Sequence, residues 1–258
     1  MMFRPKIIGF MCNWSLPEEK YLVDNDTISG YPKMHIVPVM CIGRIDPVIL
    51  LEAFIKGADG VLVVGCPPPD CHYVEGNLQA ERKIKLVNKL LSRTGLEPER
   101  LKLSWGYTYE VDSFVKTVND FRRQILTLGP SPLTGDESDR NILACMLAAK
   151  TTAEESRLRT IVGREREMVE ERNVYGEKLD QAEFDEELDK SIEAEYTRNR
   201  IRLLVKDTSM SVVEMAECLG LNPRIVLRHV VVLRRRGLIT LNRIEGNDPL
   251  YAALEVTW

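Results

Sequence analysis

Gly60-Val61-Leu62-Val63-Val64-Gly65-Cys66 is the stretch that sets the architecture of this chain. Four consecutive apolar residues between glycines, with no polar alternation, describe a short strand buried on both faces, as inside a parallel sheet. Two upstream runs read the same way, Ile7-Ile8-Gly9-Phe10-Met11 and Ile36-Val37-Pro38-Val39-Met40. Each ends at a cysteine, Cys12 and Cys41, as the third ends at Cys66. Helical segments between the runs call for right-handed crossovers that set the strands side by side. Cys71 follows Cys66 after a short loop. Four thiols therefore meet beyond the carboxyl edge of one sheet, where ligands of such sheets lie. Neighbouring strands are about 4.8 Å apart, so thiolates from three strands and a following loop can converge on a small iron-sulfur cluster.

On either side of these strands, Pro17 within residues 17–23 opens a short helix, and Ser29-Gly30-Tyr31-Pro32 turns the chain towards the second strand. Asp46-Pro47 starts the next helix, whose stripe of Val48, Leu51, Phe54 and Ile55 ends at Lys56-Gly57. Residues 77–94 form a third, with Ile84, Val87, Leu90 and Leu91 inward and Arg82, Lys83, Lys85 and Lys89 covering the outside. A fourth strand over 101–105 and a helix over 110–128, stopped by Gly129-Pro130, complete a three-layer α/β domain. After the turn-rich stretch 130–136 a helical pattern resumes, with Ile142, Cys145, Met146 and Ala149 on one face, which makes Cys145 a packing residue. The polar stretch 154–172 reads as a solvated helix or one lying on a partner.

Length and composition allow more than one domain. The chain has 258 residues, 44% of them hydrophobic, and a net charge of -4. No stretch approaches about 20 apolar residues, and the amino terminus lacks the features of a secretory signal, so a cytoplasmic location with no membrane segment is expected. In a reducing compartment structured cysteines serve as ligands or catalytic thiols rather than disulfides. Charge divides the chain into a nearly neutral part, an acidic stretch over 151–197 and an arginine-rich end. The expected organisation is a redox domain over 1–130, a helical acidic connector over 131–195 and a further domain over 196–258.

That last domain reads as a winged helix-turn-helix. Helices are expected over 196–207, 211–220 and 222–236, followed by a hairpin whose strands flank the turn Glu245-Gly246-Asn247-Asp248-Pro249. On the third helix Arg224, Arg228 and Arg235 oppose Val226, Val230 and Leu233, a stripe able to enter a major groove. Ile225, Leu227, Val231 and Val232 spread apolar surface around the same helix, which suits a protein interface better than nucleic acid.

Four thiolates satisfy either an iron-sulfur cluster or a structural zinc site, and spacing alone leaves both open. The flanking sequences are more specific: Gly9-Phe10-Met11-Cys12-Asn13-Trp14, Val39-Met40-Cys41-Ile42-Gly43-Arg44-Ile45-Asp46-Pro47, residues 57–66 ending in Cys66, and Asp70-Cys71-His72-Tyr73-Val74-Glu75-Gly76-Asn77. Over about residues 5–130 they resemble the delta subunit of methyl-viologen-reducing hydrogenase. The resemblance implies a 2Fe-2S cluster on Cys12, Cys41, Cys66 and Cys71 in a non-catalytic electron-transfer subunit. It also implies partners: a hydrogenase, formate dehydrogenase or other electron-input subunit on one side, and the flavin- and iron-sulfur-containing subunits of a heterodisulfide-reductase-like, electron-bifurcating complex on the other. Members of that family commonly carry a further cysteine where this chain has Ser15, so these four are the only complete set.

Around the cysteines, His72 is expected to pack or donate a hydrogen bond, and Trp14 and Tyr73 to pack in the core, with water exclusion or contact with a partner as the alternative for both. Arg44 and the N-H groups near Gly43 are candidates to offset cluster charge. The competing reading is a redox-sensing transcription regulator that binds DNA through the winged helix.

Overall fold

The computed structural model describes residues 3–16, 34–134 and 139–254, so the helix expected over 17–23 and the turn at 29–32 lie outside the described residues. The chain divides into two compact units, Met1–Ala153 with Arg159–Glu165, and Glu154–Leu158 with Arg166–Trp258.

In the first unit the four expected strands form one parallel sheet: β1 (Ile7–Cys12), β2 (His35–Val39), β3 (Gly60–Gly65) and β4 (Leu101–Trp105). Their order is β2-β1-β3-β4. Every residue of β3 is buried, as its unbroken apolar run requires. β2 differs from expectation. It is an edge strand with His35, Val37 and Pro38 exposed, and Pro38, which has no N-H to donate, is tolerated because one side of an edge strand is unpaired.

Alternation along the strands assigns the two faces. Ile7, Met11, Leu62 and Val64 pack with Phe114, Val118, Phe121 and Ile125 of α3 (Val111–Leu128). On the opposite face α1 (Pro47–Ile55) and α2 (Gly76–Leu91) pack on each other and against β3 and β4. The amino edge of the sheet is closed by polar staples. The buried Arg100 guanidinium donates to the Asp59 and Gly129 carbonyls, 3.0 Å each, while the Asp59 carboxylate accepts from Lys6 N and Ser131 N at 2.7 Å. The carboxyl edge is left for the cysteines.

Helix α4 (Arg140–Glu154) buries Cys145 with Met146 and Ala149, as its pattern requires. The polar stretch 154–172 is not one solvated helix. It breaks into α5 (Ser156–Gly163) and α6 (Glu165–Val169), and buries Leu158 and Val162.

In the second unit, α7 (Gln181–Leu204) is a single helix, so the helix expected over 196–207 is the end of a longer one. Its buried stripe of Phe184, Leu188, Ile192, Tyr196 and Asn199 keeps helical spacing without a break. β5 (Met210–Ser211) leads into α8 (Val212–Leu219), where Ser211 and Glu214 form a reciprocal capping box and Gly220 closes the helix at φ 65°. α9 (Pro223–Arg235) starts at the Asn222 cap. The hairpin of β6 (Ile239–Glu245) and β7 (Asp248–Ala253) joins β5 in an antiparallel sheet of order β5-β7-β6. Val226, Val230 and Leu233 face a core with Ile201, Met215 and Tyr251.

One ion cluster ties α7 to the end of α9. Glu195, 1% exposed, accepts from Arg236 at 2.8 and 3.0 Å and from Arg198 at 2.6 Å. Burial alone would raise its carboxyl pKa, but the Arg236 bonds and the charges of Arg198, Arg236 and Arg157 outweigh burial and hold it below the ordinary value. A carboxyl depressed by folding stabilises fully above its unfolded pKa of about 4.3 and loses that contribution as pH falls through the folded value. Glu195→Ala is expected to destabilise this unit by about 2 kcal/mol at pH 7, because it removes the buried carboxylate that holds two partly exposed guanidinium groups through charge-assisted hydrogen bonds. The difference from the parent protein should shrink below about pH 4. Urea melts at about pH 7 and about pH 3.5, on either side of that carboxyl range, check both statements, and equal losses at the two pH values would contradict them.

Candidate metal centre

The strand order puts β1 in the middle of the sheet, with β2 on one side and β3 on the other, so the chain changes direction across the sheet at β1. Ligands of open α/β sheets bind at such a switch point, beyond the strand carboxyl ends. Cys12 ends β1, Cys41 follows β2 and Cys66 follows β3, which sets three thiols around that crevice.

The sulfurs gather in two pairs. Cys12 Sγ and Cys66 Sγ are 3.9 Å apart and buried. Cys41 and Cys71 form the second pair, their sulfurs sharing the space over Gly76. Both sulfurs of the second pair lie over the first residue of α2. A Cβ built on Gly76 would stand 2.2 Å from Cys41 Sγ and 3.4 Å from Cys71 Sγ. Only glycine fits there, and the amino end of α2, with its positive dipole, lies beside these sulfurs. A Cβ on Gly43 would meet the Gly76 carbonyl oxygen at 2.4 Å, so the turn after Cys41 and the start of α2 touch backbone to backbone. Among the described residues no three or more His, Cys, Asp or Glu side chains form a group that could hold a metal ion.

Protonation follows from this burial. Desolvation pushes the Cys12 thiol up to about 11, against the Trp14 N-H bond that lowers it, with Cys66 and Cys41 adding to the rise. Burial likewise raises Cys41, opposed by the Gly43 N-H, with Cys71 and Cys66 again raising it. The metal-free Cys12 and Cys41 thiols are therefore held protonated at neutral pH, and binding a cation must release protons.

The surrounding shell is polar where backbone needs partners and aromatic where the edge meets solvent. Asn77, buried, donates from Nδ2 to the Cys66 carbonyl at 3.2 Å. The Ser15 hydroxyl lies 3.2 Å from the carbonyls of Cys12 and Val64 and shares its proton between them, fully buried. The Pro67-Pro68-Pro69 loop, with a cis bond at Pro68-Pro69, is tied to the segment after β4 by Tyr107 donating to Asp70 at 2.7 Å. Val74 adopts φ 67°, a strained conformation for a β-branched residue, between Cys71 and Gly76.

The flanking residues depart from expectation in different directions. His72 does pack: its ring stacks on Trp14 at 3.5 Å and meets Tyr73 edge-on at 5.0 Å. Trp14 and Tyr73 are not core residues, being 47% and 43% exposed. Met40, Val74 and Tyr109 are exposed as well. Arg44 is exposed and forms no ion pair among the described residues. The cation that does reach the Cys41 turn is Lys83, which helical position alone puts on the outer face of α2. Its Nζ donates to the Gly43 carbonyl at 2.6 Å. Helical spacing does not reveal this, because a long lysine stem lets the ammonium reach away from the direction of its Cα. Gly76 and Asn77 lie within the motif around Cys71, but their tasks depend on contacts with Cys41 and Cys66.

Comparison with known proteins agrees with this part of the chain. Residues 7–129 match the family profile described as methyl-viologen-reducing hydrogenase, delta subunit. An iron-sulfur subunit of the F420-non-reducing hydrogenase of Archaeoglobus profundus is 40% identical over 128 residues, which are 50% of this chain and 93% of that protein. The corresponding vhu iron-sulfur subunit of Methanocaldococcus jannaschii is 34% identical over 129 residues, 50% of this chain and 96% of that protein. A subunit of the ferredoxin:CoB-CoM heterodisulfide reductase of Methanosarcina mazei is 33% identical over 126 residues, 49% of this chain but only 16% of that much longer protein.

Proposed function

The chain belongs to the methyl-viologen-reducing hydrogenase delta-subunit family, and on that footing we propose that it relays electrons through a 2Fe-2S cluster held by Cys12, Cys41, Cys66 and Cys71. The observation that carries this reading is the pairing of the sulfurs. A two-iron cluster takes four thiolates, two on each iron; the Cys12/Cys66 pair and the Cys41 and Cys71 sulfurs over Gly76 would supply them at one sheet edge by drawing together, since as they stand they close no metal-ion group among the described residues. Such a cluster accepts and gives up single electrons.

The chain's own residues prepare the edge for that task. Trp14 N-H and Gly43 N-H stabilise thiolates of opposite pairs, and the amino end of α2 adds to them. The Trp14-His72 stack joins the segments that follow Cys12 and Cys71, and we read the exposed side chains of Trp14, Met40, Tyr73 and Tyr109 as apolar surface on which a redox partner seats. The names of the relatives support partnership with subunits of hydrogenase and heterodisulfide reductase complexes. The finer reading we propose is an electron-input module of the hydrogenase or formate dehydrogenase type on one side and the flavin-containing subunit of a heterodisulfide-reductase-like, electron-bifurcating complex on the other. We read residues 1–130 as the redox domain, 131–195 as a connector and 196–258 as a winged helix used for assembly. Among the described residues no helix is long and apolar enough to cross a membrane.

A second reading, the redox-sensing regulator, is favoured by one observation: α9 exposes Arg224, Arg228 and Arg235. The same surface exposes Leu227 and Val231, and the hairpin turn is flanked by Glu245 and Asp248, features that suit a protein surface better than phosphates. The regulator predicts an operator shift that weakens steeply with salt; the carrier predicts co-purification with flavin and iron-sulfur subunits.

The deciding experiment is iron, sulfide and zinc analysis of anaerobically purified protein, with electron paramagnetic resonance after reduction. Two irons and two sulfides per chain with a rhombic signal are expected. Zinc without iron would reject the relay.

A further inference from the structure

We propose that Lys83 is a potential-setting residue, whose ammonium, clamped on the Gly43 carbonyl, supplies a fixed positive charge beside Cys41 that favours the reduced centre. This inference rests on the four-thiolate reading and adds to it the residue that biases the electron's residence there.

The geometry is specific. Lys83 leaves α2 and turns back to the Cys41 turn, where Nζ donates to the Gly43 oxygen at 2.6 Å. The N-H of that same glycine donates to the Cys41 sulfur, so one residue links the cation to the thiolate. Two further charges face the ammonium: Asp46, which caps α1 through Val48 N at 2.9 Å, and Arg159, paired with Asp46 at 2.8 Å. One carboxylate thus lies among two cations, which leaves the group of three with a net positive charge.

Half-burying an ammonium against a single carbonyl is unfavourable unless negative charge lies nearby. Burial does pull the Lys83 pKa down, with Asp46 and Cys41 opposing that fall and Arg159 adding to it. A thiolate centre beside the Gly43 turn would add a second anion to Asp46. A centre held by these thiolates would become one unit more negative on accepting one electron from a reduced iron-sulfur or flavin donor. A neighbouring cation stabilises that product more than the oxidised form. No bond changes at Lys83, which keeps its proton throughout.

The test is a potentiometric titration of the full chain carrying its centre, followed by paramagnetic resonance with redox mediators, for the parent protein, Lys83→Gln and Lys83→Arg. Lys83→Gln is expected to lower the equilibrium constant for one-electron reduction at least tenfold, a shift of about 59 mV to more negative potential. Lys83→Arg, which keeps the charge, should stay near the parent value. An unchanged potential in Lys83→Gln overturns the proposal. Equal shifts in both variants, or loss of iron from Lys83→Gln, would make Lys83 a packing residue of the turn and overturn it too. A parent protein with zinc and no iron defeats the relay and this inference together, and is recognised by the missing signal before any variant is compared.

Discussion

Cys66→Ala is expected to strip the protein of iron while leaving the parallel sheet folded. Cys66 follows the most deeply buried strand, and its sulfur stands 3.9 Å from that of Cys12. Removing it leaves one pair with a single sulfur, so one iron of the proposed cluster loses a ligand that no neighbour replaces. Ser15, the nearest candidate by sequence, has its hydroxyl proton engaged by the Cys12 and Val64 carbonyls. The fold does not depend on this thiol, because β3 is held by Val61, Leu62, Val63 and Val64, all buried. Alanine is chosen over serine because a serine oxygen could still bind metal. Iron falling from two per chain to near zero, with an unchanged far-ultraviolet dichroism spectrum, is the expected result. The same outcome is expected at Cys12, Cys41 and Cys71, whereas Cys145→Ala, buried in α4, should keep its iron. Parent-level iron in Cys66→Ala would remove that residue from the ligand set.

A change that touches no sulfur should have nearly as large an effect. In Gly76→Ala the added methyl would stand 2.2 Å from Cys41 Sγ, far inside van der Waals contact. The sulfur must move or α2 must withdraw its first turn. Withdrawal is opposed by Asn77, which holds the Cys66 carbonyl, and by the contact of Gly43 with the Gly76 backbone. Displacing a ligand disturbs a site at least as much as losing an outer-shell partner, for which affinity falls roughly 10- to 100-fold. Retained iron after mild chelation is therefore expected to drop at least about tenfold. Gly163→Ala meets no atom within 4 Å and provides the control, with iron unchanged. A Gly76→Ala protein that holds two irons through chelation, with the parent resonance signal, would show that the sulfurs do not depend on this close approach.

Both predictions concern residues whose importance is unevenly legible in the chain. The cysteines stand out because each of three ends an apolar run, and strand periodicity is a local property. Gly76 is legible only as part of a motif, since its need for a bare Cα comes from Cys41, brought to it by the second strand and its turn. Lys83 escapes a helical wheel for a related reason: the wheel assigns Cα positions, and the flexible lysine stem carries the charge elsewhere. Aromatic side chains usually bury most of their area, which places Trp14 and Tyr73 inside by expectation, yet they lie on a carboxyl edge that leaves them exposed. The shift from acidic to basic residues near 195 looks like a boundary, and it hides the continuity of α7, whose buried stripe from Phe184 to Ile201 runs through it.

Short-range physics wrote the buried strands, the ends of α1, α8 and α9, and the cysteines that close three apolar runs into the order of the residues, because burial, capping and turn formation act over a few neighbours. The position of β1 between β2 and β3, the pairing of the sulfurs and the turn of Lys83 towards Cys41 are settled only when the chain has packed. Those outcomes depend on contacts between segments distant in sequence, such as Cys12 with Cys66 and Gly43 with Lys83. The crossovers that select them are set by packing the whole sheet at once rather than by any local preference of the chain.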